Sequence, residues 1–215
     1  MRRPAAGTGS KEHEGRQRSF GQDGGSPLDD LIFRLRARRI LQLFPATAID
    51  VADLGSGHEY RLLRHLYRRG LIRKGIAVDV SLEQAPWPGA ASIRLLEADL
   101  GEPLDVPDGS VDVVLSLAVL EHMARPQVHL REAHRILRSP GILMLTSPSR
   151  ASQPLLEFLA FRLHVIDADE IRDHRHYFNQ KDVRELLLAA GFGESDVTYR
   201  TFLLGLNQFV VARKR

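Results

Sequence analysis

Ala48 to Tyr60 reads A-I-D-V-A-D-L-G-S-G-H-E-Y, and the fold is decided here. An apolar run with a β-branched bias, Ile49 to Leu54, predicts a strand. Gly55-Ser56-Gly57 predicts a tight turn, and a helical pattern leaves it. The two glycines can take backbone angles closed to other residues and let a ligand lie against the main chain. The helix then aims its free N–H groups at that ligand. Asp53 brings a carboxylate into the same crevice. Strand, glycine turn and helix together open a nucleotide-binding α/β sheet. Alone they also describe an ordinary strand-to-helix loop, so the flanking sequence has to decide.

Downstream, Ile72 to Val80 predicts a second strand ending around Asp79. That residue lies about 20 positions past the glycines, where a carboxylate accepts hydrogen bonds from a ribose. Ser92 to Leu96 predicts a third strand running into E-A-D, with Asp99 at its tip. Three successive strands thus end in acidic residues, and strand C-termini line one crevice in such sheets. Val111 to Leu117 is nearly continuous in apolar residues, as a strand buried on both faces should be. Gln127 to Leu137 predicts a helix, Ser139-Pro140-Gly141 its end, and Ile142 to Thr146 a fifth strand.

D-L-G-S-G (Asp53 to Gly57), V-D-V-S (Val78 to Ser81), E-A-D-L (Glu97 to Leu100), S-V-D-V-V-L-S-L-A-V-L-E-H-M (Ser110 to Met123) and S-P-G-I-L-M-L-T-S-P (Ser139 to Pro148) follow in order. In this order the chain resembles the class I S-adenosylmethionine-dependent methyltransferases. The similar branch is the small-molecule one that includes the ubiquinone-type O-methyltransferases. The resemblance spans roughly residues 48 to 214. It implies an α/β fold: a doubly wound, Rossmann-like seven-stranded sheet, mostly parallel. Val197 to Leu203 and Leu206 to Ala212 would form its C-terminal antiparallel hairpin. It further implies S-adenosyl-L-methionine as cofactor, held by Asp53, Gly55, Ser56, Gly57, Asp79, Val80, Asp99, Leu100 and Leu117. Asp79 would bond the ribose hydroxyls and Asp99 the adenine amino group. The implied activity is methyl transfer to a small-molecule acceptor, with O-methylation favoured. One departure is Glu59, where the family has a third glycine. Facing the cofactor's carboxylate, a Glu repels; turned outward, it is harmless.

In the resembling family, A-V-L-E-H-M lies beside the reactive methyl group. Some relatives, including RNA-end and ubiquinone-type enzymes, hold a divalent metal with E-x-x-E-H. Here Ala118 replaces the first Glu. Glu121 and His122 alone are one ligand short of the usual minimum, so no metal is expected. The segment Leu155 to Val165 is apolar nearly all round and should be buried or cover something. A membrane-surface helix would want a more basic polar face. Asp167 to Phe178 reads as a loop with Asp173, His174, His176 and Tyr177 as acceptor-side candidates, or as a polar surface turn. A hydroxyl acceptor must lose a proton, which a neutral histidine can take at pH 7. His122, His174 and His176 are therefore the candidate bases. K-D-V-R-E-L-L-L-A-A-G-F, Lys181 to Phe192, carries a helix.

The 215 residues suit one domain, or one domain with a cap, and 43% are hydrophobic, so a sizeable core is possible. No apolar run approaches the roughly 18 residues of a membrane span. The chain has no cysteine, which agrees with a reducing cytoplasm, the expected location. Residues 1–26 are rich in Gly, Arg and Ser and predict a disordered basic tail ahead of a domain over 27–215. The tail holds five basic and three acidic residues, so it supplies two of the chain's three net positive charges. The rest is close to neutral, which opposes a nucleic-acid partner.

Ser26-Pro27 predicts a helix start. Arg34, Arg36, Arg38 and Arg39 on that helix either reach the methionine carboxylate or form a solvated face. Leu62, Leu63, Leu66 and Tyr67 form the apolar side of the helix after Gly57, with His58 and His65 exposed. Two prolines around Trp87 leave room for little more than one helical turn before the third strand. Trp87 either stacks near the adenine or packs. Three other functional classes remain. A nicotinamide oxidoreductase requires G-x-G-x-x-G, and Tyr60 stands at the last position. The others are a non-catalytic cofactor-binding protein and an RNA methyltransferase.

Overall fold

Seven strands form a single sheet in the order β3-β2-β1-β4-β5-β7-β6. The computed structural model describes residues 27–45, 47–162 and 171–215. The strands are β1 (Ile49–Leu54), β2 (Ile72–Asp79), β3 (Ile93–Glu97), β4 (Val111–Leu117), β5 (Leu137–Pro148), β6 (Val197–Phe202) and β7 (Asn207–Lys214). The first five pair in parallel, whereas β7 runs antiparallel to both β5 and β6. This is the implied sheet with its C-terminal antiparallel hairpin. The helices among the described residues are α1 (Pro27–Leu43), α2 (Arg61–Arg68), α3 (Pro126–Ile136), α4 (Gln153–Phe161) and α5 (Gln180–Ala189).

Alternation along the strands feeds two cores. Val51, Val113, Leu115 and Met144 pack with α1 and α2 through Ala37, Ile40, Leu63 and Leu66. Ala52, Val114, Leu143 and Leu145 pack with α3 and α5 through Leu130, Ala133, Val183 and Leu187. Both faces of β4 are covered, which explains its continuous apolar run. The strand order reverses between β1 and β4, so a crevice opens at their C-terminal ends.

Some boundaries move. β5 begins at Leu137 rather than Ile142, because Leu137 pairs with Val111 across a register shift. The Ser139-Pro140-Gly141 signal therefore lies inside a strand, with a cis Ser139–Pro140 bond, and α3 ends just before it. Between β2 and β3 there is a single helical turn, Ala90–Ser92, as the two prolines require. The tail 1–26 lies outside the described residues, and so does the part of the apolar segment beyond residue 162. α5 starts in a capping box. The Asn179 side chain accepts from Asp182 N at 3.0 Å, and the Asp182 carboxylate accepts from Asn179 N at 2.9 Å. Gln208 Nε2 donates to Phe178 O at 2.7 Å, tying the chain just before this cap to β7.

Candidate active site

The candidate cofactor side is built from the ends of β1 and β2. Gly55 N and Ser56 N donate to Val78 O at 2.8 and 3.1 Å, folding the glycine turn onto β2. Gly55 has φ 82°, and a Cβ there would sit 2.3 Å from Val119 Cγ2. The protein itself thus needs this glycine, because the chain leaving β4 presses on it. Gly57 N donates to Asp79 Oδ2 at 2.8 Å, and Val80 N donates to Oδ1 at 2.8 Å. Each carboxylate oxygen keeps a second lone pair. Asp53 is 3% exposed, and burial, followed by the charge of Asp79, pushes its carboxyl up to about 7.

Leu100 is buried, Val80 and Leu117 are half-buried, and Asp99 is exposed, accepting from Gly101 N at 2.7 Å. Glu59 is exposed, so it turns outward. Tyr60 is buried with φ 38°, and its hydroxyl accepts from Trp87 Nε1 at 3.0 Å and Arg64 Nη2 at 3.1 Å. Trp87 also stands edge-on to Tyr67, with ring centroids 5.3 Å apart. These contacts make Trp87 a packing residue.

The candidate acceptor side assembles at the tip of β4. Ala118 takes a left-handed conformation, φ 57°, and its N–H donates to Thr146 O at 2.9 Å. The chain then makes one tight turn, Leu120–His122, that buries Glu121 and His122 to 1% and 7% exposure. A distant segment closes on it: Arg175 N and His176 N donate to Glu121 O at 2.8 and 3.2 Å. His174 is thereby brought edge-on to His122, with ring centroids 4.8 Å apart. Glu121, His122 and His174 each present one ligand atom, all within 4.8 Å of one another. The count of two ligands drawn from the sequence is corrected to three. The third comes from more than 50 residues away and has no local signature.

His174 Nδ1 lies 3.0 Å from Tyr177 Oη. Burial, then the nearby carboxylates of Glu157 and Glu121, push the Tyr177 phenol up to about 12, so it keeps its proton at neutral pH. His176 does not join this group: it is exposed, with its ring against Phe178. Asp173 is exposed as well. Glu157, on α4, was not singled out by sequence, since a single Glu in an apolar helix reads as its solvated edge. Beneath the site, Ser116 Oγ and His129 Nε2 lie 2.9 Å apart, and burial pulls the His129 pKa down to about 4. Of the α1 arginines, Arg34 and Arg38 line a groove against α2, and Arg39 stacks over Phe202 at 4.5 Å. His65 lines that groove half-buried, rather than fully exposed as expected.

A family model described as a methyltransferase domain matches residues 29–193. The chain belongs to the class I S-adenosylmethionine-dependent methyltransferase family. A probable S-adenosylmethionine-dependent methyltransferase of Mycobacterium tuberculosis (strain ATCC 25618 / H37Rv) is 30% identical over 148 residues, covering 68% of this chain and 49% of that protein. The chain therefore spans about half the length of that relative. An S-adenosylmethionine-dependent methyltransferase from Archaeoglobus fulgidus superposes with TM-score 0.64 at 17% identity, covering 86% of this chain and 94% of that one. A 1,6-didemethyltoxoflavin-N1-methyltransferase from Burkholderia thailandensis, with bound 1,6-didemethyltoxoflavin and S-adenosylhomocysteine, gives TM-score 0.56 at 22% identity over 83% and 76% of the two chains. S-adenosylmethionine is the cofactor of this enzyme family. Among the described residues, no helix is long and apolar enough to cross a membrane.

Proposed function

We propose that this chain transfers a methyl group from S-adenosyl-L-methionine to a small-molecule acceptor, with a hydroxyl oxygen as the favoured target. The observation that carries this reading is the joining of the two half-sites through Val119, which presses on Gly55 and leads directly into the turn bearing Glu121 and His122. The glycine turn, Asp79 and Asp99 would hold the cofactor. A bound sulfonium supplies an already activated methyl group, so the protein's main task is alignment at about 3 to 3.5 Å. A hydroxyl acceptor must also give up its proton. His174 accepts it on Nε2 only in the tautomer that donates Nδ1–H to Tyr177 Oη. The protonated Tyr177 phenol can accept from Nδ1–H or donate to a bare Nδ1, and the base requires the first arrangement. The buried His122 ring covers one side of the half-buried His174 ring.

Calorimetry should give saturable binding of S-adenosylmethionine and S-adenosylhomocysteine and none of NAD. Assay of labelled methyl transfer against a panel of phenols, enols and amines then separates an enzyme from a cofactor-binding protein. Transfer to none of them, with binding intact, favours the non-catalytic reading. Transfer to RNA instead would favour the nucleic-acid reading.

The spacing of Glu121, His122 and His174 favours a second reading of the same cluster. One carboxylate and two imidazoles fit a divalent transition metal, with positions left for acceptor oxygens. Such an ion would lower the pKa of an acceptor hydroxyl and orient it. Activity that survives exhaustive chelation supports the histidine base; activity lost on chelation and restored by one metal supports the ion.

A further inference from the structure

At the surface, α1 and α2 leave a groove of about 460 Å³ between them. Its floor is apolar, from Phe33, Ala37 and Leu41, and its rim carries Arg34, Arg38 and Arg69, with His65 between them. Among the described residues, no acidic side chain lines it. Arg69 follows the last residue of α2, whereas the glycine turn precedes the first. Eight helical residues separate the two ends, about 12 Å at the α-helical rise.

Three other arginines of this surface are neutralised. Arg61 pairs with Asp30 at 2.8 Å, Arg64 with Glu83 at 2.7 Å, and Arg73 with Asp50 at 2.7 Å. Among the described residues, Arg34, Arg38 and Arg69 make no ion pair. Burial, followed by the charges of Arg69 and Arg68, holds the His65 pKa below its usual value. The three unpaired arginines of the lining make the field in the groove positive. The segment preceding α1 has five basic and three acidic residues, which does not complement that field.

We propose that this groove binds a small soluble organic anion with one carboxylate or phosphate head and a short hydrocarbon body. The head meets the arginine rim, where guanidinium groups match planar and tetrahedral oxyanions. The body lies on Phe33, Ala37 and Leu41. The volume falls within the range of small-molecule sites. A nucleic-acid backbone would leave the apolar floor unused.

The test is calorimetry with octyl phosphate, kept below its micellar concentration, beside octanol, inorganic phosphate and phosphatidylglycerol vesicles. Octyl phosphate should bind once per chain, with S-adenosylhomocysteine saturating its own site or not. Octanol and phosphate should each bind at least tenfold more weakly. The exposed pair Arg38→Gln/Arg69→Gln should weaken octyl phosphate by about tenfold, the low end for charged hydrogen bonds at a solvated rim. The same variant should keep its melting temperature and its S-adenosylhomocysteine affinity. Should the pair fail to fold, Arg34→Gln alone should still weaken binding severalfold. Absence of saturable binding, equal binding of octanol, displacement by S-adenosylhomocysteine, indifference to the arginine changes, or binding to vesicles alone would each overturn the proposal.

Discussion

The two halves of the crevice are built differently. On the proposed cofactor side, β1, the glycine turn and β2 lie within about 30 residues of one another, and their key contacts are backbone to backbone or backbone to Asp79. On the acceptor side, Glu121 and His122 depend on a segment more than 50 residues later for their partner, His174. The first half is a local structure that exists once its strands pair. The second exists only when Arg175 N and His176 N reach the carbonyl of Glu121. Changes on the acceptor side should therefore alter turnover while sparing cofactor affinity. Changes on the cofactor side should alter affinity first.

The largest expected effect is on the acceptor side. His174→Ala should slow transfer by roughly 10²- to 10⁴-fold with cofactor affinity unchanged, and His176→Ala should leave transfer near its original rate. Equal losses in both variants, measured in single-turnover assays, would erase the distinction drawn between those two histidines. Tyr177→Phe should lower kcat less and alter the pH profile, since it leaves the ring of His174 in place but frees its tautomer.

Gly55→Ala strikes the joint between the halves. Its Cβ would meet Val119 Cγ2 at 2.3 Å, and its φ of 82° is strained for alanine. A loss of about 2 to 4 kcal/mol in urea unfolding is expected from overpacking and the left-handed backbone. A variant as stable as the parent would show that the two halves are not pressed together at this point. Asp79→Ala is smaller and should appear in cofactor binding, at about 1.5 to 3 kcal/mol for a hydrogen bond to a charged group. Unchanged affinity for S-adenosylhomocysteine would remove Asp79 from the cofactor site.

Asp53 provides a pH signature. Its folded-state value, about 7, lies above the ordinary 3.8. Between those values the unfolded chain has released the proton and the folded chain retains it. Stability of the cofactor-free protein should therefore fall as pH rises from 3.8 toward 7, then level off on this account. Asp53→Asn should flatten that slope and stabilise the protein at pH 8. A slope identical to the parent's would assign it to other groups. The smallest effect is at the cap after the acceptor segment: Asn179→Ala should cost about 1 kcal/mol. A turnover loss larger than that stability change implies would make the cap a positioning element for the segment carrying His174.

Much of the cofactor side was legible because its signals are local. A β-branched run bounded by glycines predicts β1, and β4 was read at its observed limits, Val111–Leu117, because burial on both faces leaves no polar alternation. The sequence places the start of β5 at Ile142 because Ser139, Pro140 and Gly141 are turn residues in isolation. Pairing with β4 across a register shift overrides that preference. Glu59 posed a question that one residue type cannot answer; its direction follows from the left-handed backbone of Tyr60 and the burial of that ring.

The sequence by itself determined the strand–turn–helix unit, the acidic strand ends and, through their order, the family. Those features depend on periodicity and on backbone angles that few residue types adopt, and both are properties of neighbours along the chain. Tertiary structure alone decided which histidines meet. His174 and His176 are two residues apart and chemically alike, yet only the first faces Glu121 and His122. Backbone hydrogen bonds to Glu121 hold the segment in one orientation, directing one ring into the crevice and the other to solvent. The pairing of distant segments fixes that orientation, and no local pattern encodes it.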